Sequence, residues 1–219
     1  STELETHLFD ATTDYGVPTL YAVQTSQVDP ELAQVVAATC DIDPQRALAK
    51  IYRELASLRI ALRSHARGPR AQEIKGQDLT VVGGALADAE LSMRHVFDFL
   101  LEGERPVHAL DEIGTLTASR PGADGVGGSA GSAGPDPLEQ VVANLERAGA
   151  EAIVVDITTD EARQVGMHVI KALIPEAMPL SFSHHARYLA TPRLYQAPRA
   201  MGLTVHDEAG INPVRQPFA

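Results

Sequence analysis

The chain has 219 residues, of which 44% are hydrophobic, and a formal net charge of -11. This composition is enough to close a folded core and argues against a chain that is disordered throughout. The acidic balance disfavours nucleic-acid binding, because the surface lacks the basic field that attracts phosphates. One cysteine, Cys40, cannot form an internal disulfide, and no apolar run is long enough to span a membrane. We therefore expect a cytoplasmic protein in which Cys40 is a core thiol.

The first predicted elements are a strand and a long helix. Residues 17–24 are rich in strand-forming residues and follow the turn signal Asp14-Tyr-Gly16. Asp43 and Pro44 supply an N-cap and a proline for the first helical turn. The helix predicted from Pro44 to about Arg63 is amphipathic, because its apolar residues recur at steps of three and four: Leu48, Ile51, Leu55, Leu58 and Leu62.

The remainder of the chain is divided by a low-complexity tract. Residues 86–101 predict a second helix, and the Gly-, Ser-, Ala- and Pro-rich residues 119–137 predict a mobile loop. Beyond it, a helix at 138–148, a strand at 152–157, a short helix and a strand at 167–174 give a βαβ-like rhythm.

We predict an α/β fold, with α+β as the alternative, in which helices pack on a mixed sheet. Residues 1–118 form the first part of the domain, 119–137 the flexible loop, and 138–219 the second part. The chain starts at Ser1 with neither an initiator methionine nor a signal peptide. We interpret this start either as processing or as the edge of a longer protein.

One flank of the long helix is a candidate ligand-binding row. Lys50, Glu54 and Ser57 follow one another at spacings of four and three, which places them along one side of a helix. Glu54 lies at the edge of the apolar stripe, so we expect it to be half buried. The alternative interpretation is that Lys50 and Glu54 are an ordinary solvated ion pair.

A series of short motifs, taken in order, resembles the YcaO family. The run from Ala47 to Arg59 is similar to the family helix Ala-Leu-x-x-Ala-x-x-Glu-x-x-Gln-x-Arg. The resemblance covers nearly the whole chain. The other matching segments are Asp14-Tyr-Gly-Val-Pro, Asp156-Ile-Thr-Thr-Asp, Ile170-Lys-Ala-Leu-Ile-Pro175, Thr191-Pro-Arg-Leu194 and the tail Ile211-Asn-Pro-Val-Arg-Gln-Pro-Phe-Ala219.

The resemblance implies an ATP-dependent enzyme acting on peptides. YcaO enzymes phosphorylate a backbone amide oxygen of a ribosomally synthesised precursor peptide after a nucleophile has added to the carbonyl carbon. The product is an azoline, a thioamide or an amidine. The cofactors implied are ATP and Mg²⁺. We expect a precursor peptide as substrate and a homodimer as an open option.

The resemblance also implies roles for individual residues. Glu54 matches the helical glutamate that holds Mg²⁺ and the nucleotide, while Ser57 and Arg59 match positions of the same nucleotide motif. Ser57 stands where many members have Gln. Arg59 lies about 140° from Glu54 around an ideal helix, which limits a shared phosphate contact. Arg193 is a candidate phosphate or substrate contact, with a surface ion pair as the alternative.

Two departures from the family pattern limit these expectations. The second ATP motif, Ser-x-x-Glu-x-x-Glu-Arg, is absent from the chain. We therefore expect the upstream half of the domain, or a partner subunit, to complete the site, and this chain alone to be inactive. The tail keeps Pro213 and Pro217, but Arg215, Gln216 and Ala219 replace Pro, His and Pro.

Three further candidates carry less weight. His184-His185 could suggest a metal site, but neighbours on a strand point to opposite faces. We interpret Asp156, Thr158, Thr159 and Asp160 as a strand end and helix cap, and Arg187 as a weak phosphate candidate. Two alternative functions stay open: a catalytically impaired YcaO-like scaffold for a precursor peptide, and an unrelated α/β domain.

Overall fold

The first three strands form an antiparallel meander. This computed structural model describes residues 3–68, 81–113, 136–181 and 184–214. Strand β1 (Leu4–Asp10) pairs with β2 (Thr19–Ser26), which pairs in turn with β3 (Gln34–Cys40). The predicted strand at 17–24 is confirmed as β2, whereas β1 and β3 were not predicted.

The long helix is confirmed as α1 (Pro44–Ala66). It begins where expected because the Asp43 carboxylate accepts a hydrogen bond from the Gln45 amide at 2.8 Å and Pro44 occupies the first turn. It ends one turn later than predicted, with the Arg67 amide donating to the Arg63 carbonyl.

The two faces of the β1–β3 sheet are covered by different elements. Side chains alternate between the two faces along β2 and β3, and those that face α1 are Leu20, Ala22, Val35 and Ala37. They pack against the buried residues of α1, which include Ala47, Ile51, Leu55 and Leu62. The opposite face packs Val23 and Val36 against Phe97. The main hydrophobic core therefore lies in this part of the chain.

Cys40 is exposed at the end of β3, so its prediction as a core thiol is wrong. Its neighbour two positions earlier, Ala38, is exposed as well, whereas Val36 on the same face is buried. Phe97 covers this face of β3 only as far as Val36. Cys40 lies beyond the covered part of an edge strand.

The predicted second helix is interrupted. Residues form a helix α2 (Val81–Ala89), a 3₁₀ segment (Leu91–Phe97) and a short helix α3 (Asp98–Leu101). The break falls at Glu90, whose backbone is extended. The buried Gln34 side chain donates to the carbonyls of Asp88 and Glu90 at 2.7 and 2.5 Å, so these carbonyls bond to β3 at the point where the helix stops.

The later part of the chain contains a two-stranded sheet. Helix α4 (Pro137–Arg147) precedes strand β4 (Ile153–Asp156), helix α5 (Asp160–Gln164) and strand β5 (Ile170–Leu173). A βαβ unit requires parallel strands, but β4 and β5 are antiparallel, so that expectation is wrong. The chain reverses directly after α5 at Gly166, whose φ of 72° is left-handed.

The remaining described elements are a 3₁₀ turn (His184–Ala186), helix α6 (Arg193–Ala200) and a 3₁₀ turn (Glu208–Gly210). Together the helices and sheets confirm a mixed α/β architecture. Most of the predicted loop at 119–137 lies outside the described residues. Within the described part of the chain, no helix is both long and apolar enough to cross a membrane.

Candidate functional site

The candidate row on α1 is exposed. Lys50, Glu54 and Ser57 all lie on the solvent side of the helix, so the expectation that Glu54 is half buried is wrong. The reason is that the buried stripe of α1 extends towards Arg59 on the other flank. Among the described residues, no hydrogen bond or ion pair engages the side chains of Glu54 or Lys50. The Glu54 carboxylate is accessible to a ligand, and its helix is anchored on a buried face.

Arg59 is placed on the opposite flank of α1, in the core. Its side chain donates from Nε to Gln24 Oε1 at 2.7 Å, from Nη1 to the Leu32 carbonyl at 2.9 Å, and from Nη2 to the Gln24 carbonyl at 3.2 Å. Only 8% of the residue is exposed. Burial lowers the pKa of Arg59, although a guanidinium stays charged at any physiological pH. The structure does not bring Arg59 to the Glu54 face.

A second arginine, Arg63, follows Arg59 by one turn and reaches the β2–β3 turn. Its Nη2 lies 2.6 Å from Asp29 Oδ2. Burial alone would raise the pKa of Asp29, but hydrogen bonds from the Leu32 amide and from Arg63 outweigh it and hold the pKa below its usual value. Together Arg59 and Arg63 fasten α1 to the segment between β2 and β3.

Arg193 joins the start of α6 to the Asp14–Tyr15 turn. Its guanidinium pairs with the Asp14 carboxylate and lies 3.7 Å from the centroid of the Tyr15 ring. The Arg193 and Asp14 side chains are only 15% and 17% exposed. A stacked, paired guanidinium of this kind is a cation–π contact as well as an ion pair. The structure places Arg193 against Asp14 and Tyr15 and not against Glu54.

The same turn is bound by α4. Asn144 Nδ2 donates to the Tyr15 carbonyl at 2.8 Å. Gly16 has a φ of 67°, and a Cβ at that position would lie 2.9 Å from Asn144 Nδ2. Gly16 is therefore required both for its left-handed backbone and for the close approach of Asn144. Sequence reasoning missed Asn144, since nothing local marks a contact that spans so much of the chain.

The Asp156 segment is a strand end and helix cap, as predicted. Asp156 is the last residue of β4, and Thr159 Oγ1 accepts from the Ala162 amide at 3.3 Å at the start of α5. Hydrogen bonds from the side chain and the amide of Thr158, with Arg163 nearby, lower the pKa of Asp156 to about 2. Asp160 pairs with Arg163 at 3.6 Å. Local hydrogen bonds and ion pairs therefore explain why polar residues occupy these positions.

The remaining candidates lie near the end of the chain. His184 and His185 form a 3₁₀ turn, so the strand assumed for them is wrong. Arg187 Nη1 donates to the Asn212 carbonyl at 2.8 Å, which fastens the start of the predicted tail. Residues Arg215, Gln216 and Ala219 lie outside the described residues.

The described residues contain no complete cluster of metal ligands. Among them, no group of three His, Cys, Asp or Glu side chains could hold a metal ion. Mg²⁺ is often held in nucleotide sites by one or two carboxylates, with phosphates and water completing its shell. Glu54 fits the role of one such carboxylate, because it is exposed on an anchored helix.

Residues 1–178 match the family described as YcaO cyclodehydratase, ATP- and Mg²⁺-binding. Two solved structures are similar in fold at 19% identity and a TM-score of 0.62: the heterocyclase TruD, and a heterocyclase in complex with substrate and cofactor. Each match covers 99% of this chain but only 26% and 25% of those chains. No curated protein sequence matches at a significant level. The chain spans about a quarter of the heterocyclase chains that it resembles, and it belongs to the YcaO family.

Proposed function

We propose that this chain carries part of the ATP site of an enzyme that activates a backbone amide in a ribosomally synthesised peptide. The observation that supports this most strongly is Glu54. Its carboxylate is exposed and is engaged by no described side chain. By resemblance, the α1 sequence around it matches the family helix that carries a Mg²⁺-binding glutamate. A carboxylate presented by a rigid helix is a suitable ligand for Mg²⁺ bound to a triphosphate.

The chemistry requires charge to be neutralised on the transferred phosphoryl group. A nucleophile adds to the peptide carbonyl carbon, and the resulting oxyanion attacks the γ-phosphorus of ATP, with ADP leaving. The phosphorylated oxygen then departs as phosphate when the carbon–nitrogen double bond forms and the nitrogen loses its proton. Bound Mg²⁺ would supply the charge neutralisation for the phosphoryl transfer. Glu54 would help to hold that ion, and Lys50 and Ser57 lie on the same exposed flank.

The two arginines predicted to bind nucleotide are proposed to act indirectly. Arg59 holds α1 on the sheet through Gln24 and Leu32, which fixes the direction in which Glu54 points. Arg193 holds the Asp14–Tyr15 turn against α6. Both side chains are occupied by protein partners, so a phosphate would have to displace those contacts.

A scaffold function is the second candidate. It is favoured by Ser57, whose short side chain reaches less far than the Gln common in the family. In this alternative the chain presents a precursor peptide without ATP turnover.

The test uses the complete protein that contains this chain, with ATP, Mg²⁺ and the precursor peptide. Phosphate release and peptide mass are followed together. We expect Glu54→Gln to lower Mg²⁺-dependent phosphate release on the order of 10²-fold, as losing one electrostatic contact to a transition state does. The matched control is Glu146→Gln, an exposed glutamate on α4, which should leave the rate unchanged.

The outcomes separate the two candidates. If Glu54→Gln leaves both phosphate release and peptide mass unchanged, the Mg²⁺ assignment is wrong. If the wild-type protein binds the peptide but neither releases phosphate nor changes the peptide's mass, the scaffold function is correct.

A further inference from the structure

The sheet formed by β4 and β5 exposes an unusual amount of apolar surface. Every residue of both strands is exposed. We call these two strands the apolar sheet. Its large hydrophobic side chains, with their exposed fractions, are Ile153 (40%), Val154 (62%), Val155 (42%), Ile170 (52%) and Leu173 (43%).

The apolar side chains lie on both faces of this sheet. In the antiparallel register Ile153 faces Leu173 across the strands, and Val154 faces Ala172. Successive residues alternate, so the first pair lies on one face and the second pair on the other. A strand that is apolar on both faces is typical of a sheet covered by helices or strands on both sides.

The surrounding elements do not supply that cover. Among the described helices and strands, β4 and β5 make more than marginal contact only with each other. A two-stranded sheet is at best marginally stable in water when it has no further strand or layer. The outer edges of β4 and β5 also have no partner among the described strands.

The exposure of both faces of the apolar sheet distinguishes between the kinds of partner that could cover it. A second copy of this chain related by two-fold symmetry would cover one face and leave the other in water. An extended peptide would add a strand at an edge and leave both faces uncovered. Only a folded complement with layers on both sides covers Val154 and Val155 together.

We propose that the apolar sheet is the docking surface for the portion of a YcaO domain that this chain does not contain. The inference rests on the proposed function, since it assigns the partner that completes the same enzyme. The share of the matched heterocyclase chains that has no counterpart here is about three quarters, because the matches cover 26% and 25% of them. That complement covers both faces of the sheet and brings the ligands that Glu54 lacks.

The test places a photo-crosslinking residue, p-benzoylphenylalanine, at one position at a time in the complete protein as purified from its own cells. Position 154 samples one face and position 155 the other. The matched control is position 107, where Val107 is 96% exposed and lies far from the sheet in sequence. Crosslinked peptides are identified by mass spectrometry. We expect both faces, but not the control, to capture polypeptide of YcaO-domain sequence from outside residues 1–219.

Other outcomes overturn the inference. These are capture of a second copy of this chain, capture of the precursor peptide alone, capture from one face only, equal capture at position 107, or no capture at all. Phosphate release is measured on the same preparation. Capture from both faces without ATP turnover would support the docking surface and contradict the proposed enzyme. ATP turnover without capture would support the proposed enzyme and contradict the docking surface.

Discussion

The two sheets of this protein both contain apolar strand residues, but these residues lie in opposite environments. Most residues of β2 and β3 are buried, whereas every residue of β4 and β5 is exposed. Each sheet contains a Val-Val pair, Val35-Val36 in β3 and Val154-Val155 in β4. The difference is that α1 and Phe97 cover the two faces of the first sheet, and no described element covers the second. Burial is therefore set by the covering elements and not by the strands alone.

The largest expected effect contrasts one leucine from each region. Leu55 on α1 is fully buried under the first sheet, whereas Leu173 in β5 is 43% exposed. Leu55→Ala should lower the free energy of unfolding by about 2–5 kcal/mol, since it leaves a cavity in the core. Leu173→Ala should cost less than about 1 kcal/mol in this chain. Urea denaturation of both variants measures the difference; equal losses would contradict the contrast.

The second-largest loss of stability is expected when the buried Arg59 is replaced. Arg59→Met leaves the Gln24 and Leu32 carbonyls without their donor in a buried position. We expect a loss of about 2–4 kcal/mol, because hydrogen bonds to a charged group are strong and buried orphans are costly. Arg53→Met, on the exposed side of the same helix, should change stability by less than about 0.5 kcal/mol.

That pair of variants also tests the role assigned to Arg59. If Arg59→Met unfolds as easily as Arg53→Met but abolishes nucleotide binding, Arg59 contacts the phosphates and does not anchor α1. Thermal melting and equilibrium nucleotide binding on the complete protein are measured side by side.

An alkaline transition is expected from the covered face of the first sheet. Burial, with the nearby charge of Asp88, raises the pKa of Tyr21 to about 12 from its usual value of 10.0. The folded state thus holds this proton more tightly than the unfolded state. Stability is unaffected below pH ~10 and falls by up to about 2–3 kcal/mol as the pH rises towards ~12.

Denaturation of the wild type and of Tyr21→Phe between pH 8 and pH 12 (about two units on either side of the ordinary tyrosine pKa) measures this loss. The variant should show a shallower decline. An identical decline in both proteins would show that other groups control the alkaline transition.

The smallest effect concerns the contact that joins the first region to α4. Gly16→Ala and Gly103→Ala both place a side chain on a left-handed backbone, which costs about 1–2 kcal/mol each. Only at Gly16 does the new Cβ meet another group, Asn144 Nδ2 at 2.9 Å. Gly16→Ala should therefore cost about 0.5–1.5 kcal/mol more than the control. Equal costs in thermal melts would show that the Asn144 contact adjusts freely.

Local signals made the long helix α1 predictable. The Asp43-Pro44 start and the apolar spacing of α1 are properties of neighbouring residues, and the structure confirms them. The family resemblance was also visible in the sequence, because it depends on short motifs in a fixed order. This reasoning also placed Glu54 on α1, where the structure has it.

Long-range contacts account for what the sequence did not predict. The helix break at Glu90 depends on a hydrogen bond from Gln34 on strand β3. The exposure of Cys40 depends on how much of β3 is covered by Phe97. The exposure of Glu54 depends on which flank of α1 faces the sheet. The buried hydrogen bonds of Arg59 with Gln24 and Leu32 hold the opposite flank against it. No local pattern encodes these pairings.

Amide hydrogen exchange tests the contrast between the two sheets most directly. In this chain alone, the amides of β2, β3 and α1 should exchange only through global unfolding, while those of residues 153–156 and 170–173 should exchange through local opening, many-fold faster. In the complete protein the second set should become protected. Slow exchange of both sheets in this chain alone would contradict the account, because the apolar sheet would then be stable without a cover.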